Sequence, residues 1–247
     1  MMRNIKLVLQ YNGKNYSGFQ VQPERPTIQG EVERALSTLL REKVSIVGSG
    51  RTDAGVHALH QVVNLKTDSD ISLYRLRWSV NALLPSDIVI SETCEVGKKF
   101  NARYDAVSKE YHYFILNRKH PSVLIPDFCY FLAKSLDLTA MQEAANKFLG
   151  TRSFFSFCSN SGWKEEDYIK TVKKMVCSKD DNGLIKIEIK ANAFLYHMAR
   201  FMVGTLIRVG LGKLELQKIP EIFESKKKVG YLAPPQGLIL ADVQYPD

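Results

Sequence analysis

The sequence predicts an α+β protein built mostly on antiparallel strands, and three observations carry that expectation. Strand-like and helix-like stretches intermix without the regular βα alternation that a parallel sheet leaves in a chain. The pattern starts afresh near Asp105, so two domains are expected, residues 1–104 and residues 105–247. The chain has 247 residues and 45% hydrophobic content, enough to bury a substantial core as one large domain or two smaller ones.

Residues 5–11 read as a first strand, followed by a Gly/Asn turn and a polar loop over 20–26. Thr27 can cap the next helix, whose Ile28, Val32, Ala35, Leu36, Leu39 and Leu40 share one face. Residues 44–47 and 58–65 read as strands on either side of a glycine-bracketed loop. Ser72 caps a second helix with Leu73, Leu76, Val80, Leu83 and Leu84 inward, and Pro85 stops it. Arg75 and Arg77 fall on or beside its polar face and read as solvated. A strand over 88–96 precedes Phe100-Asn101-Ala102-Arg103-Tyr104. In the strand over 109–116, alternation sends Tyr111, Tyr113 and Ile115 to one face and His112, Phe114 and Leu116 to the other. Further strands are expected over 128–133, 170–178, 184–190 and 238–243, and helices over 139–149 and 193–209.

Formal charge is +8, which suggests a polyanionic partner; the alternative is a basic protein with none. The four cysteines lie far apart, favouring a reduced intracellular protein over a zinc cluster or disulfide framework. No signal-peptide core is visible, and the longest apolar stretch is broken by His197, Arg200 and Arg208, so no membrane span is expected and the protein reads as cytoplasmic. The run Lys226-Lys227-Lys228 reads as a solvated helix end.

Chemistry concentrates in Gly50-Arg51-Thr52-Asp53-Ala54-Gly55-Val56-His57, which sets one carboxylate beside an arginine in a loop held at each end by a strand. The helix expected from Ala193 is apolar almost all round, so Arg200 in its middle needs an answer to its charge. Three remain open: a pair with Asp53, snorkelling to the surface, or a pair with Glu188 or Asp242. A guanidinium beside Asp53 keeps the carboxylate ionised, able to act as nucleophile or general base. No second acid shares the loop, no nucleophile triad or phosphate loop stands out, and metal-ligand spacing is missing. His57 and His60 read as structural. Basic and aromatic residues interleave in 100–104 and 109–113, a pattern that suits RNA and equally suits the core of a sheet.

The loop Gly48-Ser49-Gly50-Arg51-Thr52-Asp53-Ala54-Gly55-Val56-His57-Ala58 resembles the signature of the tRNA pseudouridine synthase A (TruA) family. So do Leu9-Gln10-Tyr11-Asn12-Gly13 with Tyr16-Ser17-Gly18-Phe19-Gln20, Phe100-Asn101-Ala102-Arg103, and Lys109-Glu110-Tyr111-His112-Tyr113. The series continues through Ala191-Asn192-Ala193-Phe194-Leu195-Tyr196-His197-Met198-Ala199-Arg200 and closes with Gly237-Leu238-Ile239-Leu240 and Val243-Gln244-Tyr245-Pro246. The resemblance spans nearly the whole chain.

It implies two α+β domains sharing a continuous, mostly antiparallel sheet with helices on one side and a central catalytic cleft, the pseudouridine synthase fold. It implies a homodimer serving one tRNA and conversion of uridines 38, 39 and 40 of the anticodon stem-loop to pseudouridine, without cofactor or metal. By the same resemblance Asp53 is the catalytic carboxylate, attacking the uracil ring or the ribose, and Arg51 assists base flipping. Tyr111 packs on the target base and Arg200 pairs with the carboxylate. Phe100, Asn101, Ala102, Arg103 and Tyr104 contact RNA, as does Lys170, which stands where arginine is usual. Phe19 replaces a frequent tryptophan, Arg152-Ser153 replaces a His-Asp pair, and the segment over 158–167, with Glu165, Glu166 and Asp167, departs from the family pattern. The competing functional reading is a non-catalytic RNA-binding or tRNA chaperone protein; a third is an aspartate-dependent hydrolase.

Overall fold

Strands and helices fall largely where local sequence signals put them. The computed structural model describes residues 2–225 and 227–246, so Lys226 of the expected lysine run lies outside the described residues. In chain order the elements are β1 (Arg3–Tyr11), α1 (Ile28–Leu40), β2 (Ile46–Gly48), β3 (His57–Thr67), α2 (Leu73–Leu83) and β4 (Ile88–Val96). Next come β5 (Ser108–Leu116), β6 (Tyr130–Phe131), α3 (Leu138–Asn146), β7 (Gly150–Ser153), β8 (Ile169–Lys179) and β9 (Leu184–Ala191). The last three are α4 (Met198–Gly210), α5 (Lys218–Glu224) and β10 (Leu238–Gln244).

Two compact units result: Met1–Val107 with Ile239–Asp247, and Ser108–Leu238. The last strand thus returns to the first unit, where the sequence expectation assigned all of 105–247 to the second domain. It does so by parallel pairing, Ile239 opposite His57 and Leu240 opposite Ala58, a contact no local turn announces.

In the first unit the strand order is β4-β1-β3-β10, with β2 on β3. β1 is antiparallel to both neighbours, with Ile5 opposite Leu65 in β3 and Glu95 in β4. Helix α1 starts where Thr27 Oγ1 accepts the Gly30 N–H, and α2 where Ser72 Oγ accepts the Arg75 N–H. Ile28, Val32, Ala35 and Leu36 of α1 are buried as its spacing predicts. In α2 only Leu76 and Val80 are fully inward; Leu83 is 47% exposed, because Leu84, extended just past the helix end, takes the inward place. Arg77 is not merely solvated: its Nη1 donates to the Ser91 carbonyl at 2.9 Å.

In the second unit the order is β5-β9-β8-β7, with β6 parallel to β5. Tyr111, Tyr113 and Ile115 face inward as the alternation predicts, and Leu116 is buried as well. The strand expected over 128–133 shrinks to Tyr130–Phe131, while β7 and α5 carry no clear periodic signal and were not foreseen. The helix expected from Ala193 begins only at Met198, because His197 sits in the left-handed region at φ 65° and the preceding residues form a loop. Lys228, expected to be solvated, instead donates to the carbonyls of Phe155 at 2.6 Å and Asn160 at 2.9 Å and lies 3.6 Å from the Phe155 ring centre. Among the described residues no helix is long and apolar enough to cross a membrane.

Candidate functional site

The Asp53 loop is fixed by backbone contacts made at unusually short range. A Cβ added to Gly13 would lie 1.9 Å from the Val56 carbonyl oxygen, and one on Gly18, itself at φ +94°, would lie 2.7 Å from the Thr52 carbonyl oxygen. Only glycine lets the 13–19 turn come this close. The contact is hydrogen-bonded as well: the Phe19 N–H donates to the Thr52 carbonyl at 3.0 Å, and the Gly13 N–H to His57 Nδ1 at 3.1 Å. Tyr11 and Thr52 hydroxyls share a buried hydrogen bond of 2.8 Å, and burial pushes the Tyr11 phenol up to about 12. The Val56 N–H closes the turn on the Asp53 carbonyl at 3.1 Å. At the entry, Gln61 joins Ser49 Oγ, at 2.6 Å, to the Gly50 carbonyl, at 2.9 Å.

Within this frame Thr52 and Val56 are buried, Asp53 is half-buried and Arg51 is exposed, its Nε donating to Gln20 Oε1 at 3.1 Å. A half-exposed carboxylate on a rigid, glycine-packed turn is presented to a ligand at little entropic cost. His57 is structural, as its sequence context suggested: an Nδ1 that accepts from Gly13 puts the neutral ring's proton on Nε2.

The segment over 100–104 lies in the same unit and divides by role. Ala102 is fully buried, its N–H donating to Asn64 Oδ1 at 2.9 Å. Asn101 Oδ1 caps the turn by accepting from the N–H groups of Arg103 and Tyr104. Phe100 packs on Tyr245 with ring centres 5.1 Å apart. Arg103 and Tyr104 point to solvent, the guanidinium 5.6 Å from the ring centre of a tyrosine that is 77% exposed.

The second unit carries the other expected residues. Tyr111 on β5 is buried and meets the edge of Phe194 at 4.9 Å between ring centres, nearly perpendicular. Phe194 was expected on a helix face; it lies instead in the loop before α4, against Tyr111. Arg200 lies in the first turn of α4, not in mid-helix, and is half-buried. A cation is disfavoured at a helix N-terminus, and here Nε donates to the Ala233 carbonyl at 2.8 Å while the Arg200 carbonyl accepts from the Ala233 N–H at 3.2 Å. Tyr113 anchors the same strap, donating to the Pro234 carbonyl at 2.9 Å; burial raises its phenol well above the usual range, with the Arg200 charge opposing. Lys170 turns back on its own chain, donating to the Ile169 carbonyl at 3.0 Å and to that of Asp167, and burial lowers its pKa.

Glu188, one alternative partner for Arg200, is engaged by Lys174 and, at 2.7 Å, by Lys186. Those two bonds, Lys174's first, hold its carboxyl down at about 2. Glu110, His112 and Glu188 form the one group of three possible metal ligands among the described residues, with ligand atoms within 4.8 Å of one another. Two ammonium groups already serve it, so these residues read as a charge network on the sheet rather than a metal centre.

Residues 7–105 and 144–246 match the family described as tRNA pseudouridine synthase. The matched segments include Asp53, Phe100 and Arg200, whereas Tyr111 falls between them. The chain is 44% identical over 246 residues to the tRNA pseudouridine synthase A of Acetivibrio thermocellus, covering 99% of this chain and all of that one. It is 44% identical over 249 residues to that of Caldicellulosiruptor bescii and 41% over 246 residues to that of a Thermoanaerobacter species, with the same coverage. Similarity of this extent, running through the Asp53 loop and the Arg200 turn alike, means that the chain belongs to the tRNA pseudouridine synthase family of isomerases.

Proposed function

We propose that this protein converts uridines 38, 39 and 40 of the tRNA anticodon stem-loop to pseudouridine, with Asp53 as the nucleophile. The reaction balances within one nucleotide. The bond from N1 to the ribose C1′ breaks, the ring turns, and C5 bonds to C1′; the proton on C5 leaves and N1 ends protonated. Nothing is oxidised or transferred to a second molecule, so no cofactor or metal is required by the stoichiometry. The carboxylate forms a temporary bond, to the uracil ring or to C1′, and is released unchanged. A uridine stacked in a stem must first leave the helix, at a cost of roughly a few kcal/mol. Arg51, exposed beside Asp53, is suited to occupy the space it leaves. Tyr111 packs against the base, and Arg200 binds the substrate.

The observation that carries this reading is the Asp53 turn, a half-exposed carboxylate whose loop is clamped at the Thr52 and Val56 carbonyls and at the His57 ring by a glycine-bearing neighbour. RNA contact through Phe100, Asn101, Arg103, Tyr104 and Lys170, action as a homodimer and a cytoplasmic location belong to the same proposal, supported by the resemblance to the family; Ala102, expected among these contacts, is fully buried and holds the turn instead.

Asp53→Asn tests it. Purified wild-type protein should place pseudouridine at the three positions, and the variant should place none while retaining affinity for tRNA. Equal product from both would remove Asp53 as the nucleophile, and no product from either would leave the reading as an RNA-binding chaperone. Arg200→Lys asks whether that guanidinium serves the chemical step: a lower kcat with tRNA affinity retained supports it, and an unchanged kcat does not.

A further inference from the structure

The first unit holds a groove of about 610 Å³ that adjoins the RNA-contacting Phe100 and Asn101 and whose three lysines the reaction above does not use. Val47 and Phe100 give it an apolar floor, and its rim carries Lys66, Lys98 and Lys99, all three exposed. No acidic residue is among the described residues that line it. The volume lies in the range of sites that take a small organic ligand, roughly 300–1,000 Å³.

Three buried or half-buried asparagines build this rim and hold it rigid. Asn4 Nδ2 donates to the carbonyls of Gly97 at 3.0 Å and Phe100 at 2.9 Å, which pins the lysine-bearing loop to β1. Asn64 donates to Asn4 at 2.9 Å and accepts from the Ala102 N–H, tying the same loop to β3. Asn101 caps the turn beyond. Lysines on a loop braced in this way lose little freedom on meeting a polyanion.

The groove is also remote from Asp53. Lys66 lies nine residues along β3 from His57, where the loop enters the strand, and a strand rises ~3.3 Å per residue. Lys66 is therefore about 30 Å from His57, while Val47, six residues before Asp53, lies no more than about 22 Å from it, so a molecule reaching both the groove and Asp53 must be large and, at this end, anionic.

We propose that this groove grips the sugar–phosphate backbone of the tRNA at a point away from the reacting uridine. Lys66, Lys98 and Lys99 meet phosphates, and the apolar floor lies under the sugars. The site rests on the reading of this protein as acting on tRNA and adds a second hold that positions the substrate.

The test substitutes Lys66, Lys98 and Lys99 with alanine and measures direct tRNA binding from low to high salt. Each lost phosphate contact should lower the slope of log affinity against log salt by about 1. Affinity should fall by about tenfold at moderate salt. KM for tRNA should rise while kcat at saturating tRNA holds, and arginine at the three positions should restore the slope. Backbone footprinting should show lost protection only at phosphates away from the modified uridine. Unchanged affinity and slope, or protection lost at the reacting nucleotide instead, would overturn the proposal. Should the wild type make no pseudouridine while affinity and slope still shift as stated, the reaction fails and the groove stands. Should pseudouridine form with affinity and slope unmoved, the groove fails and the reaction stands.

Discussion

Around Asp53, backbone presses on backbone: Gly13 and Gly18 sit where any Cβ would enter the carbonyl oxygens of Val56 and Thr52, and main-chain hydrogen bonds close the joint. Around Tyr111 and Arg200, side chains bridge wider gaps. Lys228 spans to Phe155 and Asn160, Asn160 Oδ1 receives the Tyr196 N–H at 2.9 Å, Ser159 Oγ meets His197 Nδ1 at 2.8 Å, and Tyr113 holds Pro234. The first design leaves no slack and depends on residues that cannot be enlarged. The second distributes the work over polar clamps, each removable at moderate cost. In the proposed reaction the nucleophile must stand within a fraction of an ångström of its target, whereas groups that receive and hold a base tolerate more freedom.

Gly13→Ala should break the comparison most severely. The new methyl has no room against the Val56 carbonyl, so the turn must shift, and a displacement of about 1 Å near the chemistry costs on the order of 100-fold in rate. Single-turnover pseudouridine formation measures this, and a variant with wild-type rate would show that the close packing does not position Asp53. Lys228→Ala should act more gently, because it leaves carbonyls at Phe155 and Asn160 that water can partly serve. A loss of about 1–2 kcal/mol is expected, together with faster hydrogen exchange over residues 155–164. Exchange unchanged there would mean that the segment is held by packing alone.

The smallest effect concerns the charge network at Glu188. Its folded-state carboxyl titrates near 2 against an ordinary 4.5, so its contribution to stability is complete above the unfolded value. That contribution drains as pH falls from 4.5 toward 2. Glu188→Gln should flatten the stability-against-pH curve in that window and leave the neutral-pH rate alone. Identical curves for variant and wild type would remove Lys174 and Lys186 as the cause.

The elements legible in the chain were those written within one or two turns. Thr27 and Ser72 announce their helices because capping is a contact between neighbours three residues apart. The alternation of Tyr111, Tyr113 and Ile115 announces its own buried face, and the glycine-bracketed Asp53 turn its exposure to a ligand. Residues 193–197 misled, since a continuous apolar run reads equally as helix or as packed loop; only the left-handed His197 decides, and no neighbouring residue type demanded it.

Capping, pleat and turn chemistry are thus set by the amino acids alone, because the interacting groups are held near one another by the chain itself. Tertiary structure alone returned β10 to β3, turned Lys228 onto two carbonyls, and gathered Lys66, Lys98 and Lys99 around one groove. These groups come from distant positions, and their meeting depends on strand register and side-chain packing, free-energy terms summed over a whole unit and written in no single stretch of sequence.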